Sequence, residues 1–402
     1  MKEGQELKYF VIGVGKKIIS AIYFFFKVLL KTKRKITFMS RQTNGKNLDF
    51  DMLVEELKEK YPDVEAVILN KRLEKDFKSK TSYVIHMFSQ MYHMATSKVI
   101  IIDSYSILVS ILKQKKTTKV IQIWHALGSL KKFGYSILGK KEGRNSKTAK
   151  AMNMHKNYDY ALTSSEVSKG YFAEAFGMPE EKMIVLGLPR IDFLRSEKAK
   201  KAVQKRFYEI YKDCNNKKEN ILYVPTDRKN KRVPIEKVIK AVDYSKYNLI
   251  IKTHSGKEKL YVDNKKIDKG NFFLGIALLH IADYIITDYS AICYEAALVE
   301  KPIYFYTYDY TEYMKNRGVY IDFKKEMPGF ISKDIKKIMN KIEKQEWNLE
   351  AIRRFSDKYM ECKDLKITEK LVNIIMKLAN EEELIELNYT ETKIKMEVSH
   401  VR

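Results

Sequence analysis

Short runs of β-branched and aromatic residues alternate with longer segments of helical periodicity along most of the chain. The first series of runs covers residues 35–40, 64–69, 98–103, 120–125, 158–164 and 183–188. The second series covers residues 220–225, 248–254, 283–288 and 301–306. Strands that alternate with helices in this way are typical of βαβ units around parallel sheets. The pattern predicts an α/β fold with two doubly wound, Rossmann-like halves that face a cleft.

A charged, helical segment at residues 193–218 separates the two series and contains no strand-like run. With 402 residues, of which 45% are hydrophobic, the chain is long enough for two domains. We therefore predict an N-terminal domain at residues 35–205 and a C-terminal domain at residues 206–372, with the boundary inside this segment. Residues 373–402 are predicted to form a helical tail that packs back across the domains.

Residues 1–34 carry a pattern of their own, because residues 10–30 are apolar except for three lysines that interrupt a membrane span. On a helix, one side holds Lys16, Ser20, Lys27 and Lys31, and the remaining surface holds Ile18, Ile22, Phe25, Phe26 and Leu29. The pattern predicts an amphipathic helix in the membrane interface, followed by basic residues at anionic headgroups. A first helix buried against the protein is the alternative. A secretory signal is disfavoured because charges invade the apolar stretch.

The net charge of the protein limits the classes of molecule that it is expected to bind. Lysine and arginine number 76 against 51 acidic residues, a formal net charge of +25. Such a surface attracts polyanions, which include nucleic acid, anionic lipid and phosphate polymers, although a merely solvated lysine-rich surface would give the same count. The cysteines, Cys214, Cys293 and Cys362, are too few and too scattered for a disulfide framework or a thiolate metal site, which favours the cytoplasm.

Polar residues follow most of the predicted strands. They are Trp124-His125, Thr163-Ser164-Ser165, Pro189-Arg190, Pro225-Thr226, Thr253-His254 and Asp288-Tyr289-Ser290. Because ligands of open parallel sheets bind outside the carboxyl ends of the strands, these side chains are expected to line one crevice. A single histidine at a strand end is more often structural than catalytic, but six polar strand ends in two sheets are hard to explain by packing.

These residue types suit phosphoryl chemistry or nucleotide-linked transfer. Arg190 can bind a phosphate with its planar guanidinium, and Ser290, before the apolar run 291–298, is predicted to cap a helix whose N–H groups attract anions. His125 and His254 come from different halves, so closure would bring a base and an acid or cation to opposite sides of a reacting phosphorus. Asp288 is expected to orient a cation or to cap the helix, since like charges repel.

Several cofactor motifs are missing. The sequence has no Walker A loop, no G-x-G-x-x-G after a strand and no H-E-x-x-H, and His86 and His93 lie too far apart on one helix face to hold one metal. We therefore expect no nicotinamide cofactor and no structural metal.

Five segments carry a likeness to a known family. They are VIQIWHALGSLKKFG from Val120, TSSEVSKGYFAEAFGMPEEKMIVLGLPRID from Thr163, LYVPTDR from Leu222, IKTHSG from Ile251 and ITDYSAICYEAALVEKPIYFYTYDYTEYMKNRGVYIDF from Ile286. In this order, between about residues 35 and 329, they resemble the CDP-glycerol glycerophosphotransferases of teichoic acid synthesis. The resemblance implies a GT-B architecture and peripheral association with the cytoplasmic face of the cell membrane. It also implies transfer of glycerol phosphate or ribitol phosphate from a CDP-polyol to a lipid-linked teichoic acid or related polymer, with release of CMP and no cofactor.

The resemblance also implies roles for single residues. His125 would be the general base for the acceptor hydroxyl, in an acceptor-side N-terminal domain, and His254 would stabilise or protonate the leaving phosphate. The donor-binding set in the C-terminal domain and around it would be Ser129, Arg190, Pro225, Thr226, Lys252, Asp288, Ser290, Ala291 and Glu295. Three positions depart from the usual pattern: Ala126 after the histidine, Ala291 for a second serine, and Glu295 for an aspartate. The longer glutamate would suit a different polyol.

The sequence also leaves two other hypotheses about function open. One is a GT-B glycosyltransferase that uses a nucleotide sugar for capsule or wall polysaccharide, and the released nucleotide separates it from the phosphotransferase. The other is a non-catalytic binder of nucleic acid or another anionic polymer. The net charge supports it, but the sequence has no aromatic stacking motif and no recognition-helix signature, so we expect no nucleic-acid partner.

Overall fold

The computed structural model describes residues 2–73, 77–226, 228, 233–253, 261–262, 265–266, 272–382 and 384. Contacts between Cα atoms divide the chain into two compact units. The first consists of Met1–His125, Phe133–Arg190 and Asp364–Arg402, and the second of Ala126–Lys132 and Ile191–Lys363. Each unit is built around one parallel sheet, so the predicted α/β class with two sheets is confirmed.

The sheet of the first unit has six parallel strands in the order β2-β1-β3-β4-β5-β6. Their bounds are β1 Lys35–Ser40, β2 Glu65–Asn70, β3 Val99–Ile102, β4 Lys119–Gln122, β5 Tyr160–Thr163 and β6 Met183–Val185. All four residues of β3 are buried, which is typical of a central parallel strand covered on both faces. Every strand of the first predicted series is present, and most end one to three residues earlier than predicted.

The helices of the first unit are α1 Lys2–Leu29, α2 Leu48–Lys60, α3 Phe77–Thr96, α4 Ile107–Ile111, α5 Ser146–Ala151 and α6 Glu166–Phe176. Four of them begin at a side-chain cap, since the side chains of Asn47, Ser106, Asn145 and Ser165 each accept a main-chain N–H of the first turn. The helix α7, Arg190–Arg195, begins at the residue where the segment Phe133–Arg190 of the first unit ends.

The sheet of the second unit has five parallel strands in the order β13-β12-β11-β7-β8. Its strands are β7 Glu219–Val224, β8 Tyr247–Ile251, β11 Tyr284–Thr287, β12 Ile303–Tyr306 and β13 Phe330–Ser332, and a two-residue antiparallel pair is formed by β9 Tyr261–Val262 and β10 Lys265–Lys266. The helices are α8 Glu197–Ile210, α9 Ile235–Ala241, α10 Ile292–Leu298, α11 Tyr310–Asn316, α12 Phe323–Glu326, α13 Ile335–Glu343 and α14 Leu349–Tyr359. Sequence reasoning missed β13 because three half-buried residues give no apolar run.

The domain boundaries in the structure differ from the predicted ones. The predicted boundary after residue 205 falls within α8, which packs on the turn Ala277–His280 of the second unit. There the Gln204 amide donates to the carbonyl oxygen of His280 at 3.1 Å, so the boundary lies at Arg190 instead.

The C-terminal helix also changes the division of the chain. The helix α15, Ile367–Ala379, packs on α2 and β3 of the first unit, and Lys60 pairs with Glu369 at 3.0 Å. The predicted second domain, residues 206–372, therefore ends too late, because the chain returns to the first unit at Asp364. The predicted helical tail begins inside α15, and its described part packs on this one unit.

The N-terminal helix α1 packs on the first unit by its polar side. Lys16 donates to the carbonyl oxygen of Ala151 at 2.7 Å, and the Tyr23 hydroxyl, in a buried side chain, donates to Gln114 at 2.5 Å. The opposite side of the helix exposes Leu7, Phe10, Val11, Val14, Ile18, Phe24, Phe25, Val28 and Leu29. The alternative of a first helix buried against the protein is therefore wrong about burial, although one side of α1 does pack on this unit. By length and composition, Glu6–Leu29 would also suffice to cross a membrane.

Candidate functional site

The chain turns sharply where β4 ends, just before His125. Trp124 has a φ of 59°, a left-handed conformation that costs energy for a residue with a side chain. Two contacts hold it there: its N–H donates to the Gln122 side chain at 2.9 Å, and its indole stacks on Phe133 at 4.6 Å between ring centroids. The strained turn places the His125 ring against the Trp124 ring, at 4.2 Å between centroids.

The orientation of the His125 imidazole follows from one main-chain contact. Its Nδ1 atom lies 2.7 Å from the carbonyl oxygen of Asp103, at the end of β3. A carbonyl oxygen can only accept, so Nδ1 carries the proton, and in the neutral ring the lone pair is on Nε2. The Gln42 amide also approaches Nδ1, at 3.4 Å. This arrangement leaves Nε2 as the atom that can accept a proton from a substrate.

The carboxyl group of Asp103 is buried next to this histidine. Its Oδ2 atom accepts from the Ser40 hydroxyl at 2.8 Å and from the Asn47 amide at 2.7 Å. Its Oδ1 atom is buried and has no hydrogen-bond partner within the described part of the chain. Burial raises the pKa of the Asp103 carboxyl from 3.8 to about 6, although the hydrogen bonds from Ser40 and its neighbours oppose the shift.

This raised pKa predicts a pH-dependent effect of Asp103→Asn on stability. In the unfolded chain the carboxyl loses its proton near pH 3.8, and in the folded chain at about pH 6, so ionisation of Asp103 destabilises the fold increasingly between these values and fully above them. An asparagine keeps an acceptor for Ser40 and Asn47 and removes this cost. We expect the free energy of unfolding to rise by about 1–2 kcal/mol near neutral pH, and not to rise below about pH 4.

Urea unfolding at several pH values measures this effect. The control is Asp63→Asn, a change at a half-exposed carboxyl of the same unit, which should not give the rise. A stabilisation by Asp103→Asn that is equally large at acidic pH would contradict the prediction.

Arg190, predicted to bind phosphate, is held by protein groups in this structure. Its Nη2 atom pairs with Asp49 Oδ2 at 2.5 Å, and its Nε atom lies 3.1 Å from the same oxygen. Its Nη1 atom donates to the carbonyl oxygen of His125 at 3.0 Å. Asp49 is buried and Arg190 is 17% exposed at its side chain, so the pair is well shielded from water. Asp49 and Arg190 therefore fix the main chain at His125.

Asp288, at the end of β11, organises the strand ends of the second unit. Its Oδ1 atom accepts the N–H of Thr226 at 2.9 Å and that of Tyr289 at 2.6 Å. Its Oδ2 atom pairs with Arg228 at 3.0 Å. The cation beside Asp288 is thus a protein side chain, and the predicted part of Asp288 in substrate binding stays a prediction.

Arg228 is the centre of a buried charged cluster. It pairs through Nε with Asp309 at 3.0 Å and donates through Nη1 to the carbonyl oxygen of Thr226 at 2.9 Å. Its guanidinium also lies 4.7 Å from the ring centroid of Tyr313 and 5.2 Å from that of Tyr289, and these two rings stack on each other. Burial alone would lower the pKa of Arg228, but the hydrogen bond to Asp309 and the charge of Asp288 raise it, so the group stays charged.

The remaining predicted donor-binding residues are placed as follows. Pro225 and Thr226 follow β7, and the buried Thr226 hydroxyl has no hydrogen-bond partner among the residues that the structure describes. Lys252 follows β8, and burial lowers the pKa of its amine. Glu295 is buried on α10.

The start of α10 differs from the prediction. The N-cap position is Ala291, whose methyl group cannot cap, rather than Ser290. The Ser290 hydroxyl accepts the N–H of Ile292 at 3.4 Å, which is a long contact. The predicted capping role of Ser290 is therefore only marginally present.

Residues 126–132, which follow His125, belong to the second unit. The main chain of Lys131 forms an isolated antiparallel β-bridge with Val319. The N–H of Tyr320 donates to the carbonyl oxygen of Leu130 at 3.0 Å. Ser129 is buried in this segment. Burial, and then the charge of Arg317, lower the pKa of the Lys131 amine to about 8, while Asp288 opposes the shift. Lys131 is thus a second amine, besides Lys252, near the strand ends of this unit.

The second predicted histidine, His254, lies outside the described residues, and its predicted role stays a prediction. No group of three or more His, Cys, Asp or Glu side chains within the described part of the chain could hold a metal ion.

Sequence reasoning missed Asp49, Asp103, Arg228 and Asp309 as members of these networks. Asp49 lies in the first turn of α2, where an acidic residue needs no partner to be explained. The sequence does contain a signal that could have identified Asp103 and Arg228 as site residues. Asp103 ends a predicted strand, and Arg228 lies in the segment LYVPTDR.

Two parallel-sheet units with polar side chains gathered at their strand ends define an α/β enzyme of the GT-B kind. The fold is similar to that of the wall teichoic acid polymerase TagF, with a TM-score of 0.71 and 21% identity over 94% of this chain and 98% of that one. The family model described as CDP-Glycerol:Poly(glycerophosphate) glycerophosphotransferase matches residues 21–377. The chain therefore belongs to the CDP-glycerol glycerophosphotransferase family, and it is a phosphotransferase.

Curated relatives agree with this assignment. The chain is 31% identical to the teichoic acid ribitol-phosphate primase of Bacillus spizizenii, over 92% of this chain and 98% of the relative. It is 30% identical to the teichoic acid glycerol-phosphate primase of Bacillus subtilis, over 90% and 96%. The fold is also similar to that of Staphylococcus aureus MnaA in a structure with UDP, with a TM-score of 0.52. The family assignment does not favour the sugar-transferase reading.

Proposed function

We propose that this enzyme transfers glycerol phosphate or ribitol phosphate from a CDP-polyol to a hydroxyl group of a lipid-linked teichoic acid or related polymer, and releases CMP. The observation that carries the proposal is the fixed His125 ring. Its Nδ1 donates to the Asp103 carbonyl, and its main chain is held by the buried Asp49–Arg190 pair, so Nε2 is the basic atom. Family membership supplies the donor class.

In the proposed reaction, the oxygen of the acceptor hydroxyl attacks the β-phosphorus of the CDP-polyol, and Nε2 of His125 accepts the proton of that hydroxyl. A phosphodiester bond forms, the bond to the bridging oxygen breaks, and CMP leaves with that oxygen. Little covalent chemistry falls to the protein, so positioning and charge stabilisation supply most of the acceleration. The Thr226 hydroxyl and the amines of Lys252 and Lys131 are the donors proposed to contact the diphosphate. His254 is proposed to stabilise the leaving phosphate, and no cofactor is proposed.

Incubation with CDP-glycerol, CDP-ribitol or a UDP-sugar, each with a lipid-linked acceptor, tests this function. CMP together with an acceptor extended by one polyol phosphate is the expected result. Transfer of sugar from the UDP-sugar, without CMP release from either CDP-polyol, would establish the glycosyltransferase instead. Comparison of the two CDP-polyols also shows whether Glu295 accompanies a preference for one polyol.

We further propose that the first unit docks on the cytoplasmic face of the membrane through α1 and α3. The outer side of α1 exposes a stripe of large apolar residues, and α3, which packs on α1, exposes Val84, Ile85 and Phe88. Exposed apolar areas of this extent mark interaction surfaces. Lys31, Lys33 and Arg34 follow α1 directly and would meet anionic headgroups.

Replacement of three outer residues of α1 by serine tests this docking. Phe10, Ile18 and Phe25 are 69%, 56% and 61% exposed, so the triple variant should fold normally. We expect it to lose at least about tenfold in binding to anionic vesicles, because each large apolar side chain contributes about 1.5–3 kcal/mol when fully buried. Vesicle sedimentation measures the loss. Val167→Ser, at an exposed residue of α6, is the control, and unchanged sedimentation of the triple variant would contradict the docking.

A further inference from the structure

A cavity of about 570 Å³, open to solvent, lies between α1 and α5 in the first unit. Residues of α1 form most of its wall, with Tyr9, Gly13, Lys16, Lys17 and Ser20 on one side and Ala151 of α5 on the other. The predicted chemistry at the strand ends does not use this cavity. Its lining holds two ammonium groups, two hydroxyl groups and no carboxylate.

The two lysines of the cavity differ in their partners. Lys16 is fixed, because its amine donates to the carbonyl oxygen of Ala151 at 2.7 Å and to Asn153 at 3.1 Å. Lys17 has no hydrogen bond and no ion pair with any residue in the part of the chain that the structure describes. The hydroxyl of Tyr9 is also placed, at 3.2 Å from Asn145. Among the described residues, no carboxylate lines the cavity, so the charge of its two amines suits an anion.

The cavity adjoins the exposed apolar side of α1. Phe10, Lys17 and Phe24 are spaced seven residues apart and so lie on one line along the helix. The two phenylalanines are 69% and 58% exposed. Gly13 lies between them and the packed side, and apart from its own helix backbone no described atom comes within 4 Å of the position that a Cβ would take. An amphiphile could therefore place its charged group in the cavity and its apolar part along Phe10 and Phe24.

We propose that this cavity binds the phosphate group of an anionic membrane phospholipid, with Lys17 as the main cationic contact. The inference rests on the membrane docking proposed above and adds a defined headgroup site to it. The phosphate lies between the amines of Lys17 and Lys16 and accepts from the hydroxyl of Ser20, while Tyr9, whose hydroxyl donates to Asn145, forms part of the wall. The acyl chains run along the apolar side of α1. Lys147 and Lys150 on α5 add positive charge near the site.

Gly13→Leu is the sharpest test, because it fills the cavity without changing the net charge. The measurement is the ratio of binding to vesicles that contain phosphatidylglycerol over binding to vesicles of phosphatidylcholine alone. We expect Gly13→Leu to lower this ratio roughly fivefold, while its binding to the neutral vesicles stays equal or rises because of the added apolar area. Lys17→Gln should lower the ratio by a similar factor. Lys58→Gln, at an exposed lysine of α2, should change it by less than about twofold.

An unchanged ratio in Gly13→Leu would overturn the proposal in favour of diffuse attraction to the surface. Two soluble probes separate the sources of phosphate. A short-chain phosphatidylglycerol, below its micelle concentration, should bind the wild-type protein and bind Gly13→Leu more weakly. The same measurement is made with inorganic phosphate and with a soluble phosphate polymer. If either binds the cavity as tightly as this lipid does, the proposal that the ligand is a phospholipid is contradicted. CMP release with a soluble acceptor should be the same in all variants, so a loss of that activity would bear on the proposed function alone.

Discussion

Replacement of His125 by alanine is expected to lower CMP release from a CDP-polyol by roughly 10²–10⁴-fold, because the general base for the acceptor hydroxyl is removed. The imidazole is half-buried, and its Nδ1 atom donates to a neutral main-chain carbonyl. Stability should therefore change far less than turnover. His254→Ala is expected to lower CMP release by about 10² or more as well.

The control for His125→Ala is His86→Gln on α3. His86 is another half-buried imidazole of the same unit, and burial lowers its pKa. Initial rates of CMP release with both CDP-polyols, together with the unfolding midpoint of each variant, measure the effect. Activity of folded His125→Ala within a few-fold of wild type would remove this residue from the proposed mechanism.

Replacement of Arg228 by methionine is expected to destabilise the second unit by about 3–5 kcal/mol, because Asp288 and Asp309 would remain buried without their cation. The side chains of all three residues are at most 7% exposed. The change also removes the contact that holds Asp288, which orients the main chain of Thr226. We therefore expect weaker donor binding, seen as a higher KM for the CDP-polyol, even in the fraction that stays folded.

Arg353→Met is the matched control for Arg228→Met. Arg353 makes a similar two-point contact with Glu300, but both side chains are about half exposed, at 55% and 46%. Exposed ion pairs contribute little, so this change should leave the free energy of unfolding nearly unchanged. Urea unfolding of the two variants should differ clearly. Equal, small losses would show that the buried cluster around Arg228 is not needed for stability.

Much of the fold could be predicted from the sequence because each βαβ unit repeats a local pattern. All ten predicted strands are present, since buried parallel strands are continuous apolar runs and their neighbours have helical periodicity. The domain boundary could not be predicted, because it depends on which unit a helix packs against. The helices α8 and α15 have ordinary amphipathic patterns, and nothing in those patterns states that one packs beside Ala277–His280 and the other on α2.

The site was predictable only in part for a related reason. Strand-end residues can be identified from the sequence, and this rule found His125, Thr226 and Asp288. The partner of a buried charge comes from anywhere in the chain, as Asp49 does for Arg190 across 141 positions. The prediction that Arg190 is available to bind phosphate did not include this carboxylate. The left-handed turn at Trp124 could not be predicted either, because local propensity favours glycine and not tryptophan in this conformation.

The division of the chain into interleaved segments has a consequence for synthesis on the ribosome. The first unit is assembled from the beginning, the middle and the final part of the chain, whereas nearly all of the second unit lies in one stretch, Ile191–Lys363. The second sheet can therefore be completed while the first still lacks α15, the cover for part of α2 and β3. Until α15 emerges, apolar surface on α2 and β3 stays uncovered in the nascent chain, so the first unit acquires its full core only after the second sheet has been made.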